Sequence, residues 1–90
     1  MKKTFKFLYN PEFVKQLNKL DKQTRVRVIK QLDFLENTPF VGKHLAGRLS
    51  KSMSLRVGKY RIIYRVVLDE STIIIQTVEL RKKVYDQWYW

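Results

Sequence analysis

Ninety residues carry 19 Lys and Arg against 8 Asp and Glu, a formal net charge of +11 at pH 7. That length suits one domain, residues 1–90, and a 44% hydrophobic content excludes a disordered chain. The absence of cysteine excludes a disulfide framework, a zinc-thiolate centre and a cysteine nucleophile.

So large a positive excess points to a polyanion or an acidic protein as partner, with nucleic acid first. A generally basic, solvated surface is the plain alternative. The longest apolar runs are about strand length, which argues against a membrane. The N-terminus has no apolar stretch of signal-peptide length, so a cytoplasmic protein is expected.

In chain order, Phe5, Phe7 and Tyr9 alternate with Thr4, Lys6 and Leu8, which predicts a first strand. Asn10-Pro11-Glu12 starts a helix: a capping side chain, a proline at the first helical position, and an acid at the positive end of the dipole. Phe13, Val14, Leu17 and Leu20 form its apolar stripe. Asp21-Lys22-Gln23-Thr24 caps a second helix carried by Val28, Ile29, Leu32 and Leu35 to about Asn37, and Pro39 ends it. The polar faces hold Lys15, Lys19, Lys22, Arg25, Arg27 and Lys30, either as a solvated surface or as a grip on phosphates.

Thr38 to Ser52 lacks periodicity and is expected to be a connecting loop, with Phe40, Leu45 and Leu49 tucked beneath it and Lys43, His44, Arg48 and Lys51 exposed. Two alternating runs then meet at Gly58-Lys59, predicting a β-hairpin with a two-residue turn. That register sets Val57 opposite Tyr60, Arg56 opposite Arg61, Leu55 opposite Ile62 and Met53 opposite Tyr64. One face is then a core. The other carries the two arginines with Ser54, Ile63 and Arg65. Like charges placed opposite are destabilising, and an anion between them is the simplest compensation. Asp69-Glu70-Ser71 turns the chain into a last strand, Thr72 to Glu79. A three-residue loop there sets Glu79 opposite Arg61; a two-residue loop reverses the face. The tail from Arg81 to Trp90 is a short helix or an extended segment.

Strand, two helices and three strands make an α+β fold: a helical hairpin packed on one face of a largely antiparallel sheet. The opposite face, with its arginines, is expected to be open. No glycine-rich phosphate loop, clustered carboxylates or Ser-His-Asp order occurs, and the single His44 excludes a histidine-pair ribonuclease. What remains is cationic: Arg56, Arg61, Arg65 and Arg81, with Lys51 and Lys59 near the hairpin and Tyr85 downstream. Guanidinium groups bind phosphate bidentately and stay charged at physiological pH. They hold an RNA backbone, or stabilise the extra charge of a phosphorane-like transition state. A tyrosine crowded by cations becomes a better proton acceptor. Simple nucleic-acid binding and a structural role for Tyr85 stand beside these readings.

Leu55-Arg56-Val57-Gly58-Lys59-Tyr60-Arg61-Ile62-Ile63-Tyr64 resembles the most specific block of the RelE/ParE superfamily of toxins from toxin–antitoxin pairs. Val78-Glu79-Leu80-Arg81-Lys82-Lys83-Val84-Tyr85 is similar to that family's ending, and Asn10-Pro11-Glu12-Phe13 and Leu45-Ala46-Gly47 resemble its first-helix opening and the stretch before its hairpin. The resemblance covers nearly the whole chain and implies the microbial ribonuclease fold of that family. For its RelE-like branch it implies cleavage of mRNA in the ribosomal A site without metal or cofactor, by attack of the ribose 2′-hydroxyl on the adjacent phosphate. By position, Arg61 matches the phosphate-stabilising arginine, Arg81 the arginine near the leaving group, Arg56 a basic residue on the preceding strand, and Tyr85 the C-terminal tyrosine. Lys51, Lys59, Arg65, Lys82 and Lys83 are the further candidates for RNA contact. Leu80 stands where many ribonuclease members have histidine, so the general acid has no assigned residue.

Two other readings stay open: a ParE-type toxin that poisons DNA gyrase, and a non-catalytic basic module that only binds nucleic acid. Each toxin reading implies an acidic, RelB-like antitoxin, with a toxin–antitoxin heterotetramer as one assembly open to the pair. Val84, Trp88 and Trp90 are either apolar anchors for that partner or cover for the protein's own core.

Overall fold

Alternation of apolar and polar residues becomes a five-stranded sheet in the computed structural model, which describes residues 5–45 and 51–80. The elements are β1 (Lys6–Tyr9), α1 (Pro11–Lys19), α2 (Lys22–Asn37), β2 (Lys43–His44), β3 (Met53–Val57), β4 (Tyr60–Val67) and β5 (Thr72–Leu80). Strand order is β1-β5-β4-β3-β2, so β4 is central. β1 runs parallel to β5 and every other pairing is antiparallel.

Local chemistry sets the helix starts. Asn10 Oδ1 accepts from the Glu12 N–H at 3.0 Å, and Asp21 Oδ2 accepts from the Thr24 N–H at 3.2 Å. Each satisfies an amide that the first helical turn leaves unpaired. At the far end of α2, Thr38 donates its N–H to the carbonyls of Phe34 and Leu35 before Pro39. Phe13, Val28, Leu32 and Leu35 from the helices then pack on Phe5, Met53, Val57, Ile62, Tyr64, Ile73, Ile75 and Val78 of the sheet.

Three details depart from the expected stripes. Val14 and Ile29 are exposed, although both sit at helical spacing with buried neighbours. They flank an outer groove with Phe7, Tyr9 and Phe13, because the sheet contact uses a narrower face than the apolar stripe offers. Phe40 is 54% exposed and does not tuck under the loop, whereas Leu45 is buried. Leu49 and Arg48 lie outside the described residues. The stretch expected to be loop also contains β2, whose Lys43 and His44 pair with Ser54 and Met53.

The β3–β4 hairpin has the expected register throughout: Arg56 is opposite Arg61 and Met53 opposite Tyr64. Gly58 takes φ +59, the left-handed turn conformation that favours glycine. The β4–β5 connection reaches Glu79 opposite Arg61 by a different route from a three-residue loop. Val67 pairs with Thr72 across a four-residue connection that includes the 3-10 turn Leu68–Glu70. The register then shifts, with Tyr64 opposite Ile75 but Ile63 opposite Thr77, so Gln76 is an extra residue on β5. This bulge changes the side-chain phase of β5 and lets both Ile75 and Val78 enter the core.

β1 ends opposite Ile75, and among the described residues no strand pairs with the outer edge of β5 beyond it. α1 closes that edge: Gln16 Oε1 accepts from the Val78 N–H at 2.9 Å. Gln16→Ala strands this amide and is expected to cost about 1–3 kcal/mol. Urea denaturation measures the loss, and an unchanged midpoint removes Gln16 from the list of supports.

Candidate functional site

The face of the sheet turned from the helices is built in rows. Ser54, Ile63 and Thr77 lie side by side across β3, β4 and β5; Arg56, Arg61 and Glu79 form the next row. Alternation along each strand places both rows on this face. The face is not open as expected. Ser54, Ile63 and Thr77 are buried, and Arg61 is only 5% exposed. Parity dictates which face a residue takes, but not how deep it lies. Arg61 lies in the central strand and reaches diagonally to the next row, where its Nη1 donates to Ser54 Oγ at 3.0 Å.

The arginine pair avoids head-to-head repulsion by parting. Arg61 turns back toward Ser54, while Arg56 turns toward the hairpin tip and donates Nε–H to the Gly58 carbonyl at 3.1 Å. An anion between the two guanidinium heads is therefore not needed to hold the pair. What the divergence creates is a cavity of about 310 Å³ lined by Gly42, Lys43, Ser54, Arg56 and Arg61, with Val41 and Leu55 as apolar wall. Among the described residues, three cations and no carboxylate line it. Guanidinium and ammonium groups are the donor set that phosphate oxygens take, and the bond to Ser54 fixes the orientation of the Arg61 guanidinium.

β2 brings Lys43 here through its pairing with Ser54. Lys43 was missed as a site residue in the sequence, because a two-residue strand leaves no periodic signal. Gly42 sits where no other residue fits: an added Cβ would lie 2.5 Å from Tyr64 Oη and 2.7 Å from the Ser54 carbonyl oxygen. Its N–H donates to Tyr64 Oη at 2.9 Å, fixing β2 over the core. Burial pushes the Tyr64 phenol above its ordinary pKa of 10, and the Gly42 bond opposes this. A raised folded-state value means that the protonated form stabilises the fold fully below pH 10. That stability is lost as pH rises through the folded value. Alkaline melts should show this loss in the wild type, and Tyr64→Phe should reduce it, leaving the part due to Tyr9, whose phenol is also raised by burial.

The other expected site residues spread out. Lys59 is exposed at the hairpin tip, its Nζ 5.9 Å from the centroid of the Tyr60 ring. Lys51 is exposed in the turn before β3. Arg65 is half-buried on the same face as Arg61 but four residues along β4, about 13 Å away, and does not share its cavity. Leu80 ends β5 opposite Tyr60 and is exposed. Arg81, Lys82, Lys83, Tyr85, Val84, Trp88 and Trp90 lie outside the described residues. Among the described residues, no group of three His, Cys, Asp or Glu side chains is placed to hold a metal, and no helix is long and apolar enough to cross a membrane.

A helical hairpin on a five-stranded sheet, with a buried arginine in a cationic cavity on the far face, defines a small basic α+β domain. Comparison with known proteins narrows that class. The family model described as the ParE toxin of type II toxin–antitoxin systems, parDE, matches residues 7–85, and the chain belongs to that family within the RelE/ParE superfamily. It is a toxin of a type II toxin–antitoxin system. It is 28% identical to a chain in the RelBE2 toxin–antitoxin complex from Mycobacterium tuberculosis, with a TM-score of 0.79, covering 87% of this chain and 99% of that one. A chain of the archaeal RelE–RelB complex from Pyrococcus horikoshii is 27% identical, with a TM-score of 0.72 over 87% of this chain and 96% of that one. The isolated RelE toxin of E. coli shares the fold at 17% identity, with a TM-score of 0.74 over 92% of this chain and 93% of that one. No curated protein sequence matches the chain.

Proposed function

We propose that this toxin is a ribosome-dependent mRNA endoribonuclease that inhibits translation by metal-independent attack of a ribose 2′-hydroxyl on the adjacent phosphate. The observation that carries the reading is Arg61, buried in a cavity with Lys43 and Arg56 and anchored to Ser54 Oγ at 3.0 Å. A pre-oriented guanidinium binds the extra charge of a pentavalent phosphorus more strongly than the single charge of the diester, and that difference lowers the barrier. Lys43 and Arg56 add field to the same space. The attacking hydroxyl must lose a proton and the leaving oxygen must gain one. Arginine and lysine are poor proton acceptors near neutrality, so Tyr85 is proposed as the acceptor, with Arg81 beside the leaving oxygen, which takes its proton from water. Lys51, Lys59, Arg65, Lys82 and Lys83 are proposed to hold the flanking RNA.

The partners in this reading are mRNA on the ribosome and an acidic, RelB-like antitoxin, in keeping with the toxin–antitoxin complexes among the structural relatives. The cytoplasm is where both would be met. Induction of the chain in cells, followed by mapping of mRNA 5′ ends, tests the reading: new ends within translated codons are expected, and intact messages with normal translation would overturn it.

One observation favours a second reading. The matching family model is that of ParE. A ParE-type toxin acting on DNA gyrase would inhibit supercoiling at near-stoichiometric protein, trap DNA cleavage complexes and leave messages whole.

A further inference from the structure

A second cationic surface lies on the helix side of the sheet, away from the Arg61 cavity. Lys22, Val26 and Lys30 recur every four residues along α2 and share a face with Gln23 and Arg27; together these five residues line a shallow depression. No carboxylate is among them. Val26, 43% exposed, is the apolar floor of this patch.

Arg27 links the patch to the hairpin. Its guanidinium lies against Gly58: Nη1 is 3.4 Å, Cζ 3.8 Å and Nη2 3.9 Å from the position that a Cβ on that glycine would take. From the other face, Arg56 Nε–H donates to the carbonyl of the same glycine. Two guanidinium groups thus converge on one turn residue from opposite sides of the sheet, with Lys59 next in sequence. Concentrating like charges at one turn costs energy unless an anion is shared. Among the described residues, cations are placed at Lys30, Lys22 and Arg27, at the tip in Lys59, and at Arg56 and Arg61 in the cavity.

We infer that Lys22, Arg27 and Lys30 form a second phosphate-binding surface, over which the RNA backbone continues round the hairpin tip from the Arg61 cavity. The choice of RNA as the ligand rests on the function proposed above. These three side chains position RNA and take no part in bond breaking. All three are exposed, so their removal leaves the core intact.

The test uses the full chain and a fluorescently labelled oligouridylate, with anisotropy read from low to moderate NaCl. Each phosphate contact to a single strand adds about 0.7 to the slope of log K against log salt, so K22Q/R27Q/K30Q should lower the slope by about 2 and weaken binding about a hundredfold near 0.1 M salt, the curves converging toward 1 M. Arg27→Lys keeps the charge and should bind nearly as wild type, which separates phosphate attraction from packing against Gly58. Thermal melting confirms that each variant is folded. Unchanged affinity and slope in the triple variant overturn the inference. So does an equal loss of affinity for poly-glutamate, which would mark a general attraction for anions. Cleavage is not the readout. A chain that binds RNA this way but cuts no message fails the proposed function alone; one that cuts messages while the triple variant binds as wild type fails this inference alone.

Discussion

On the function proposed above, Arg61→Met is expected to abolish message cleavage while leaving the protein folded. Loss of one pre-oriented donor to a developing oxyanion lowers rates about 10²- to 10³-fold. The stability side of the same change runs differently. Arg61 is almost wholly buried opposite a second arginine, and a buried charge has to recover its lost hydration from its neighbours. Methionine has a similar length and no charge, and it removes the like-charge pair with Arg56. Glu79, opposite Arg61 on β5, loses its cationic neighbour and offsets part of that gain. The expected net change in unfolding free energy is within about 1 kcal/mol. Arg61→Ala is the poorer probe, because it also opens a hole above Ser54 and Ile63. Arg61→Lys keeps the charge but loses the bidentate fork, and an intermediate rate is expected. Primer extension on mRNA and thermal melts measure the two sides. Wild-type cleavage by Arg61→Met would remove Arg61 from the mechanism.

Gly42→Ala is expected to destabilise the fold strongly, although it adds only one methyl. Its Cβ would meet Tyr64 Oη at 2.5 Å, the Ser54 carbonyl oxygen at 2.7 Å and Tyr64 Cε1 at 3.0 Å. Tyr64 is buried and cannot swing aside, and the Ser54 carbonyl belongs to the backbone of β3. Relief requires β2 to move off the sheet, which breaks the Gly42 N–H bond to Tyr64 and the pairing of Lys43 with Ser54. A cost of about 2–3 kcal/mol is expected from overpacking and the lost bond together. Adding Tyr64→Phe removes the nearest oxygen but not the backbone carbonyl, so the double variant should recover only part of the loss. Urea denaturation of the two single variants and the double gives the coupling. A midpoint unchanged by Gly42→Ala would mean that β2 is not locked as described. Because β2 carries Lys43 into the Arg61 cavity, the same variant should also weaken phosphate binding.

What the sequence discloses follows from how local each signal is. Asn10, Asp21 and Pro39 mark the helix ends because capping involves residues two to four apart. The hairpin register is legible because Gly58 fixes the turn and alternation fixes the faces. β2 is not legible: Lys43 and His44 have no periodicity, and their pairing with β3 spans about ten residues of chain. The depth of Arg61 is hidden for a related reason, since alternation tells sides apart and burial depends on the neighbouring strands. Val14, Ile29 and Phe40 mislead in the opposite sense, as apolar side chains that stay exposed. Of the candidate site, Arg56 and Arg61 were visible as a facing pair, Ser54 only as a neighbour, and Lys43 not at all as a member.

The extra residue at Gln76 has a consequence for how this chain tolerates insertions and deletions. Thr72 to Ile75 keep one phase against β4, and Thr77 to Leu80 keep the other. Gln76 works as a frame corrector between them, its Oε1 accepting from Ser52 Oγ at 2.9 Å on the arginine side of the sheet. Deleting Gln76 alone would join Ile75 directly to Thr77 and leave a regular ladder, with Ile75 and Val78 still facing the core and Glu79 still opposite Arg61, at the cost of the bond to Ser52. Single-residue deletions in descendants of this gene should therefore be tolerated at Gln76 more readily than between Thr72 and Ile74, where a one-residue slip flips the side chains on one side of it.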